Sequence, residues 1–204
     1  MRERSRFQRR SRRSVSAEYP SLYAAFDPEA AGPAADLTAL LRPAVHADVD
    51  GLLAFDMTLI VRTREQWVET IDKAIRGERL LLVAEVDGTV AAFAQSHHLD
   101  EHPVNHAPAG HYLTGVTVLP RYRRAGLARD LTRARLDRIE EQASEAWYFA
   151  DAENAASIRL HTQLGFVEVS RGPSIHDVTF RSGEGVLFRL ELGARRRGGG
   201  PSTV

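Results

Sequence analysis

Residues 116–129 constrain this chain more than any other stretch. Val116, Thr117, Val118 and Leu119 read as a strand, Pro120 stops it, and Leu127 opens a helical pattern. Between them lies a short basic turn, Arg121 to Gly126, made of arginines and small residues around a single tyrosine. A helix N-terminus carries unpaired backbone N–H groups and a partial positive charge, so it binds phosphate readily. Gly126 and Ala128 let the backbone approach a ligand, and successive turn amides can form an anion-binding nest. Arg123, Arg124 and Arg129 add donors suited to phosphate oxygens. The segment therefore reads as a pyrophosphate cradle. The plain alternative is a strand–turn–helix whose glycine only relieves crowding. A nucleotide P-loop fits less well, because no Gly-Lys-Ser/Thr follows, and the dinucleotide fingerprint lacks its first two glycines.

The rest of the chain alternates strands and helices around this turn. Leu37 to Arg42 is predicted as a first strand, stopped by Pro43. Val49, Leu52, Leu53, Leu59 and Ile60 give helical spacing for a first helix. Thr63 to Gln66 forms a capping box for a second helix that runs to about Arg76 and ends at Gly77. Leu80 to Val86 and Thr89 to His98 flank Asp87-Gly88, a strong hairpin signal. Tyr112 to Leu119 is the fourth strand and Leu127 to about Gln142 a helix whose Leu127, Leu131, Ala134 and Ile139 are available to face a sheet. Trp147 to Ala150 is a short strand. Asn154 can cap a helix that ends near Leu164-Gly165, and Phe166 to Ser170 and Val186 to Leu192 are the last strands.

The pattern Arg123-x-x-Gly126-x-Ala128 after a strand resembles the acetyl-CoA signature of the GCN5-related N-acetyltransferase (GNAT) family. The order β, α, α, β, β, β, α, β, α, β, β over residues 37–192 is similar to the family's arrangement. Asn154 to Phe166, ending Leu164-Gly165-Phe166, resembles its second marker. The resemblance implies an α/β (α+β mixed) fold: a central, mostly antiparallel sheet of about seven strands, flanked by about four helices. It also implies that strands four and five splay apart to hold acetyl-CoA. By position it assigns Val116, Thr117 and Val118 to the pantetheine arm and thioester, and Arg123, Arg124, Ala125, Gly126, Leu127, Ala128 and Arg129 to the pyrophosphate. Asn154 falls where the family contacts the cofactor arm, and as a bare feature it is also a helix cap. One departure stands out: where many members carry tyrosine seven residues after this asparagine, this chain has His161. A histidine can donate a proton near neutral pH, so His161 is the candidate general acid to the thiolate, against the plain alternative of a half-buried histidine.

The general base is left open. Tyr112 and Thr114 share strand parity with Val116 and Val118 if the strand is regular, and His111 points the other way. His97, His98, Asp100, Glu101, His102 and His106 fill the connection between strands three and four. They lack a firm metal-ligand spacing and read as a solvated loop, so no metal is expected. Asp151 and Glu153 are further candidates.

Length and composition bound the remainder. A chain of 204 residues with 43% apolar residues suits one domain with tails. We expect an Arg-rich arm over 1–35, a domain over 36–193 and a loose tail over 194–204. The absence of cysteine excludes disulfides, a thiol nucleophile and cysteine-ligated zinc. No apolar run approaches a membrane span, and the basic start lacks the apolar segment of a secretory signal; a cytoplasmic protein without membrane contact is expected. The formal net charge of zero conceals an asymmetry. Residues 1–13 carry seven arginines and one glutamate, and Arg195 to Arg197 add three more positive charges. Residues 14–194 therefore hold nine excess negative charges. An acidic body favours a cationic acceptor such as an amine through its long-range field, although most of these carboxylates read as solvated surface. The expected partner is thus a small-molecule or peptide amine, with a homodimer implied by family habit. Two other classes of function are weighed: a non-catalytic acyl-CoA sensor, and nucleic-acid binding through the arginine arms. The second is disfavoured because Phe7 is the sole aromatic among residues 1–18.

Overall fold

The structure, a computed structural model, describes residues 37–55 and 62–193. The Arg-rich arm, the C-terminal tail and the predicted end of the first helix, around Leu59 and Ile60, lie outside the described residues.

A seven-stranded sheet forms the centre, in the order β1-β2-β3-β4-β5-β9-β6. Its members are β1 Leu40–Pro43, β2 Leu80–Val86, β3 Thr89–Leu99, β4 Gly110–Val118, β5 Glu145–Asp151, β6 Val167–Gly172 and β9 Gly185–Glu191. All neighbours are antiparallel except β4 and β5. Four helices flank it: α1 Val49–Leu53, α2 Arg64–Ile75, α3 Leu127–Glu140 and α4 Ala155–Gln163. The mixed α/β fold inferred from the sequence is the one observed.

Local chemistry explains the main boundaries. Thr63 Oγ1 accepts from the Gln66 amide at 3.3 Å, and Gln66 Oε1 accepts from the Thr63 amide at 2.9 Å, completing the capping box of α2. Asp87 and Gly88 both take positive φ, 48° and 73°, as the two-residue turn between β2 and β3 requires. Pro43 does not stop the first strand but ends it as a paired residue, opposite Leu82. β1 is an edge strand, where a residue without an N–H is tolerated. A short hairpin, β7 Ser174–Ile175 with β8 Val178–Thr179, was not foreseen. Its turn uses His176 at φ 50° and Asp177, with no glycine or proline to mark it.

The core lies on both faces of the sheet. On one, Trp67 and Ile71 of α2 pack with Leu52, Leu81, Val83 and Phe93, and the Trp67 ring meets Phe93 edge-on at 5.1 Å. On the other, Leu127 and Leu131 of α3 cover Ala84, Ala92 and Ala94, while Leu136 and Ile139 cover Leu113, Ala146 and Phe188. Each such buried side chain contributes about 1.5–3 kcal/mol, so α3 is anchored along its whole length before the site at its N-terminus is considered.

Candidate active site

β4 and β5 pair at only two positions, Tyr112 with Trp147 and Leu113 with Tyr148, and then diverge. Beyond that point β4 keeps its other neighbour: Val116, Thr117 and Val118 stay in register with Ala94, Phe93 and Ala92 of β3. The Leu119 amide donates to the Ala91 carbonyl at 2.9 Å, so it points toward β3. Backbone directions alternate along a strand. Val118 and Val116 therefore turn their N–H groups away from β3 and into the gap, whereas Thr117 turns its backbone toward Phe93. The Arg123 Nε donates to the Val118 carbonyl at 3.3 Å from the gap side, consistent with that alternation.

A bulge re-aims the strand at this point. The β3–β4 register slips between Ala94 and Ser96, placing Thr114 and Gly115 opposite Gln95 alone. Gly115 adopts φ +113°, which a side chain would strain. The bulge overturns the simple parity reading: Val116 and Val118 pack with the α3 cluster, whereas Tyr112 joins a different cluster with Trp147 and Ile175.

Arg135 holds the bulge from below. It is fully buried on α3, and its Nη1 donates to the Gln95 carbonyl at 2.6 Å and the Gly115 carbonyl at 3.2 Å. Nη2 donates to Thr132 Oγ1 at 3.0 Å. The described partners are neutral oxygens, and burial pulls the guanidinium pKa down to about 9. The sequence reading missed this residue. Its signal was an arginine at the helical spacing of Leu127 and Leu131.

After β4, a single 3₁₀ turn over Pro120–Tyr122 leads to Arg124 at φ 69° and Gly126 at φ 85°. Gly126 is the N-cap of α3, and the first helical bond runs from the Asp130 amide to the Gly126 carbonyl at 3.0 Å. The amides of Leu127, Ala128 and Arg129 thus head the helix with no intrahelical acceptor. The chain supplies a two-part surface: strand amides from Val116 and Val118, then helix-terminal amides beyond Gly126. That surface suits an extended ligand carrying a pyrophosphate, with Arg123 and Arg129 at its edge.

α4 borders the gap on the β5 side. Asn154 caps it, accepting from the Ser157 amide at 3.2 Å. The Tyr148 hydroxyl donates to Ser157 Oγ at 2.6 Å. His161 lies one turn further on, 2% exposed, its ring stacked on Tyr148 at 3.5 Å with 7° between planes. Its Nδ1 lies 2.8 Å from the Ser157 carbonyl, so Nδ1 carries the proton, and the buried Nε2, with no partner among the described residues, holds a lone pair. Burial pushes the pKa down to about 3, and the Arg135 charge adds to the effect. With the proton on Nδ1, the neutral imidazole presents a lone pair and not a proton at Nε2.

The base candidates separate as clearly. Asp151 is buried and consumed by local structure, accepting from the Glu153 amide at 2.9 Å and the Ser182 amide at 3.0 Å. The buried Tyr112 hydroxyl donates to the Pro108 carbonyl at 2.8 Å, and burial raises its pKa further above the usual phenol value. The histidine and acid residues after β3 pair among themselves or with the β7–β8 turn, as His106 does with Glu101 at 3.4 Å and His102 with Asp177 at 3.1 Å. No group of three or more metal-ligating side chains is found among the described residues. His97, on β3 itself, is different. It faces Thr114 across the strands, Nδ1 to Oγ1 3.1 Å, and burial with the nearby Arg79 charge lowers its pKa to about 4.

Comparison with known proteins agrees with this geometry. The model of the acetyltransferase (GNAT) family matches residues 48–166. An N-acetyltransferase from Staphylococcus aureus Mu50 superposes with a TM-score of 0.62 at 20% identity, over 76% of this chain and 99% of that one. A ribosomal-protein-alanine N-acetyltransferase from Brucella melitensis gives 0.63 at 24% identity, over 75% and 99%. The yncA protein of Salmonella typhimurium, solved with its cofactor acetyl-CoA, gives 0.58 at 22% identity, over 76% and 94%. A search of curated proteins finds no match. The family match spans more than half of the chain and contains both the divergent strands and the glycine turn: this chain belongs to the GNAT family of acetyltransferases.

Proposed function

We propose that this protein transfers an acetyl group from acetyl-CoA to the amine of an acceptor by direct attack in a ternary complex. The observation that carries the reading is the divergence of β4 from β5 directly ahead of the Gly126 turn. The residues fit the cofactor. Val116 and Val118 offer amides to its arm, and the amides from Gly126 to Arg129 offer it an anion site. Arg123, Arg124, Ala125 and Thr117 flank that path, with Asn154 on the far wall. Bound acetyl-CoA would supply an activated acetyl thioester, whose C–S bond is exchanged for a bond to the acceptor nitrogen.

In this reading the Val118 N–H stabilises the carbonyl oxygen as it gains charge, and the Arg135-braced bulge fixes the direction of that donor. His97, neutral beside Thr114, is our candidate to take up the proton that the neutral amine gives up as it attacks. The hydroxyl chain of Tyr148 and Ser157, beside Asn154, replaces His161 as our candidate route for a proton to the departing thiolate. His161 then serves as the flat base on which Tyr148 stacks. The chain contains no cysteine and, among the described residues, no helix long and apolar enough to cross a membrane; we place its action in the cytoplasm.

Thiol release from acetyl-CoA in the presence of an amine panel, with mass detection of the products, tests the proposal. Amine-dependent release accompanied by an acetylated product supports it. Tight acetyl-CoA binding without release would identify a sensor, and salt-sensitive nucleic-acid binding lost with the arms would identify the third class of function.

A further inference from the structure

Two arginines meet at Gln95 of β3, and neither forms an ion pair with a carboxylate among the described residues. Arg62 precedes α2 and Arg79 precedes β2. Both are half-buried. Arg62 Nη1 and Arg79 Nη1 share one neutral acceptor, Gln95 Oε1, at 3.4 and 3.3 Å. Gln95 itself is buried. Arg62 is fixed further by Thr70 Oγ1 at 3.2 Å and by its position over the Trp67 ring, 4.8 Å from the centroid. Arg79 Nε is buried with no hydrogen-bond partner among the described residues. No Asp or Glu among the described residues forms an ion pair with either guanidinium.

Like charges brought together in a partly dry site repel, and a buried donor without an acceptor costs free energy. Burial, with the Arg79 charge adding to it, holds the Arg62 pKa below its usual value. Both arginines also bear on His97, which marks the pair as lying beside the proposed base. An oxyanion between the two forks would relieve the repulsion, satisfy Arg79 Nε and use the planar donor geometry of both.

We propose that Arg62 and Arg79, with Gln95 between them, bind a carboxylate on the acceptor, making the substrate a small amino-carboxylate whose amine is directed toward His97 and the β4–β5 gap. This rests on the reading of the cleft as an amine-acceptor site. It also narrows the expectation drawn from overall charge. The acidic body attracts the amine at long range, while the local arginine pair selects among amines for those that carry an anion.

The test uses the full chain and matched probes: glycine, β-alanine, 4-aminobutyrate and 6-aminohexanoate, each with its primary amide, and 3-aminopropylphosphonate as the phosphonate counterpart. kcat/KM for thiol release should favour the acid over its amide by about tenfold or more at the best chain length, the range expected of a charge-assisted hydrogen-bond pair. In Arg62→Gln or Arg79→Gln that ratio should fall toward one, with acetyl-CoA affinity reporting that the variant is folded. A phosphonate preferred over every carboxylate would overturn the carboxylate assignment. Acid and amide turned over equally by the wild type would overturn the anion site while leaving the acetyltransferase reading intact. If no amine releases thiol, that reading fails and binding decides the site separately. The Gln95 side-chain amide resonance should shift with 4-aminobutyrate and not with its amide, and no shift with either overturns the proposal.

Discussion

The two sides of the sheet gap are built from different materials. The proposed cofactor side is made of backbone: strand amides at Val116 and Val118, then helix-terminal amides after Gly126, with glycines at φ 113° and 85° where the backbone demands them. The proposed acceptor side is made of side chains drawn from separate elements: Arg62, Arg79, Gln95, His97 and Thr114. Backbone donors serve one invariant ligand whatever surrounds them. Side-chain clusters can be exchanged residue by residue, and they set which acceptor is chosen. The difference explains how a chain sharing 16–24% identity with the solved structures keeps the fold while its acceptor must be argued from its own residues.

The sharpest way to break the cofactor half is Gly126→Glu. A Cβ there would sit 3.4 Å from Arg129 Nη2 and 3.6 Å from Asp130 Oδ2, at a φ that L-residues resist, and the new carboxylate would face the pyrophosphate. We expect acetyl-CoA affinity measured by calorimetry to fall about 10²–10³-fold, or roughly 3–4 kcal/mol, the scale of like charges at close range near a surface. Undiminished affinity in a folded variant would remove the pyrophosphate from this turn.

Arg135 links the two halves, because its guanidinium holds the bulge carbonyls of both Gln95 and Gly115. Arg135→Met should leave those oxygens without their donor and cost about 2–3 kcal/mol in a urea melt. It should also lower kcat more than it raises KM for acetyl-CoA, since the Val118 donor would lose its aim. Wild-type stability and kcat would mean that the strand holds its own bulge.

His161 offers a smaller effect with a definite sign. Its folded pKa of about 3 lies below the unfolded value near 6.5, so the unfolded chain takes up the proton first as pH falls. Stability is therefore complete above about pH 6.5 and is lost below it, by about 2 kcal/mol at pH 5. His161→Phe should flatten that part of the pH–stability curve. Its single-turnover rate should stay within about tenfold of wild type across pH 6–9, whereas a loss of 10²-fold or more would restore His161 as the acid. Removal of residues 1–13 is expected to matter least, changing turnover on a small amine by less than about tenfold, or roughly 1.4 kcal/mol.

What was legible in the sequence divides along the same line. The turn between β4 and α3 could be read because its conformation demands particular residues: Pro120 follows the strand, and Gly126 supplies a left-handed φ. The Asp87-Gly88 hairpin and the Thr63–Gln66 capping box were legible for the same reason. The bulge was not. Gly115 was visible, but a slipped register depends on what lies opposite, and that in turn depends on Arg135 twenty residues on. The Asn154–Phe166 segment located His161 correctly on α4 but said nothing of the Tyr148 ring that buries it. Arg62 and Arg79 come from the start of a helix and the start of a strand. Only the fold brings them together on Gln95.

The central claim is that the cofactor is held by backbone amides in two groups, one on β4 and one at the head of α3. Titrating ¹⁵N-labelled protein with acetyl-CoA tests it most directly. The account predicts that the amide resonances of Val116, Val118, Gly126, Leu127, Ala128 and Arg129 shift together along one binding isotherm. Saturable binding that leaves Gly126 to Arg129 unmoved would contradict it.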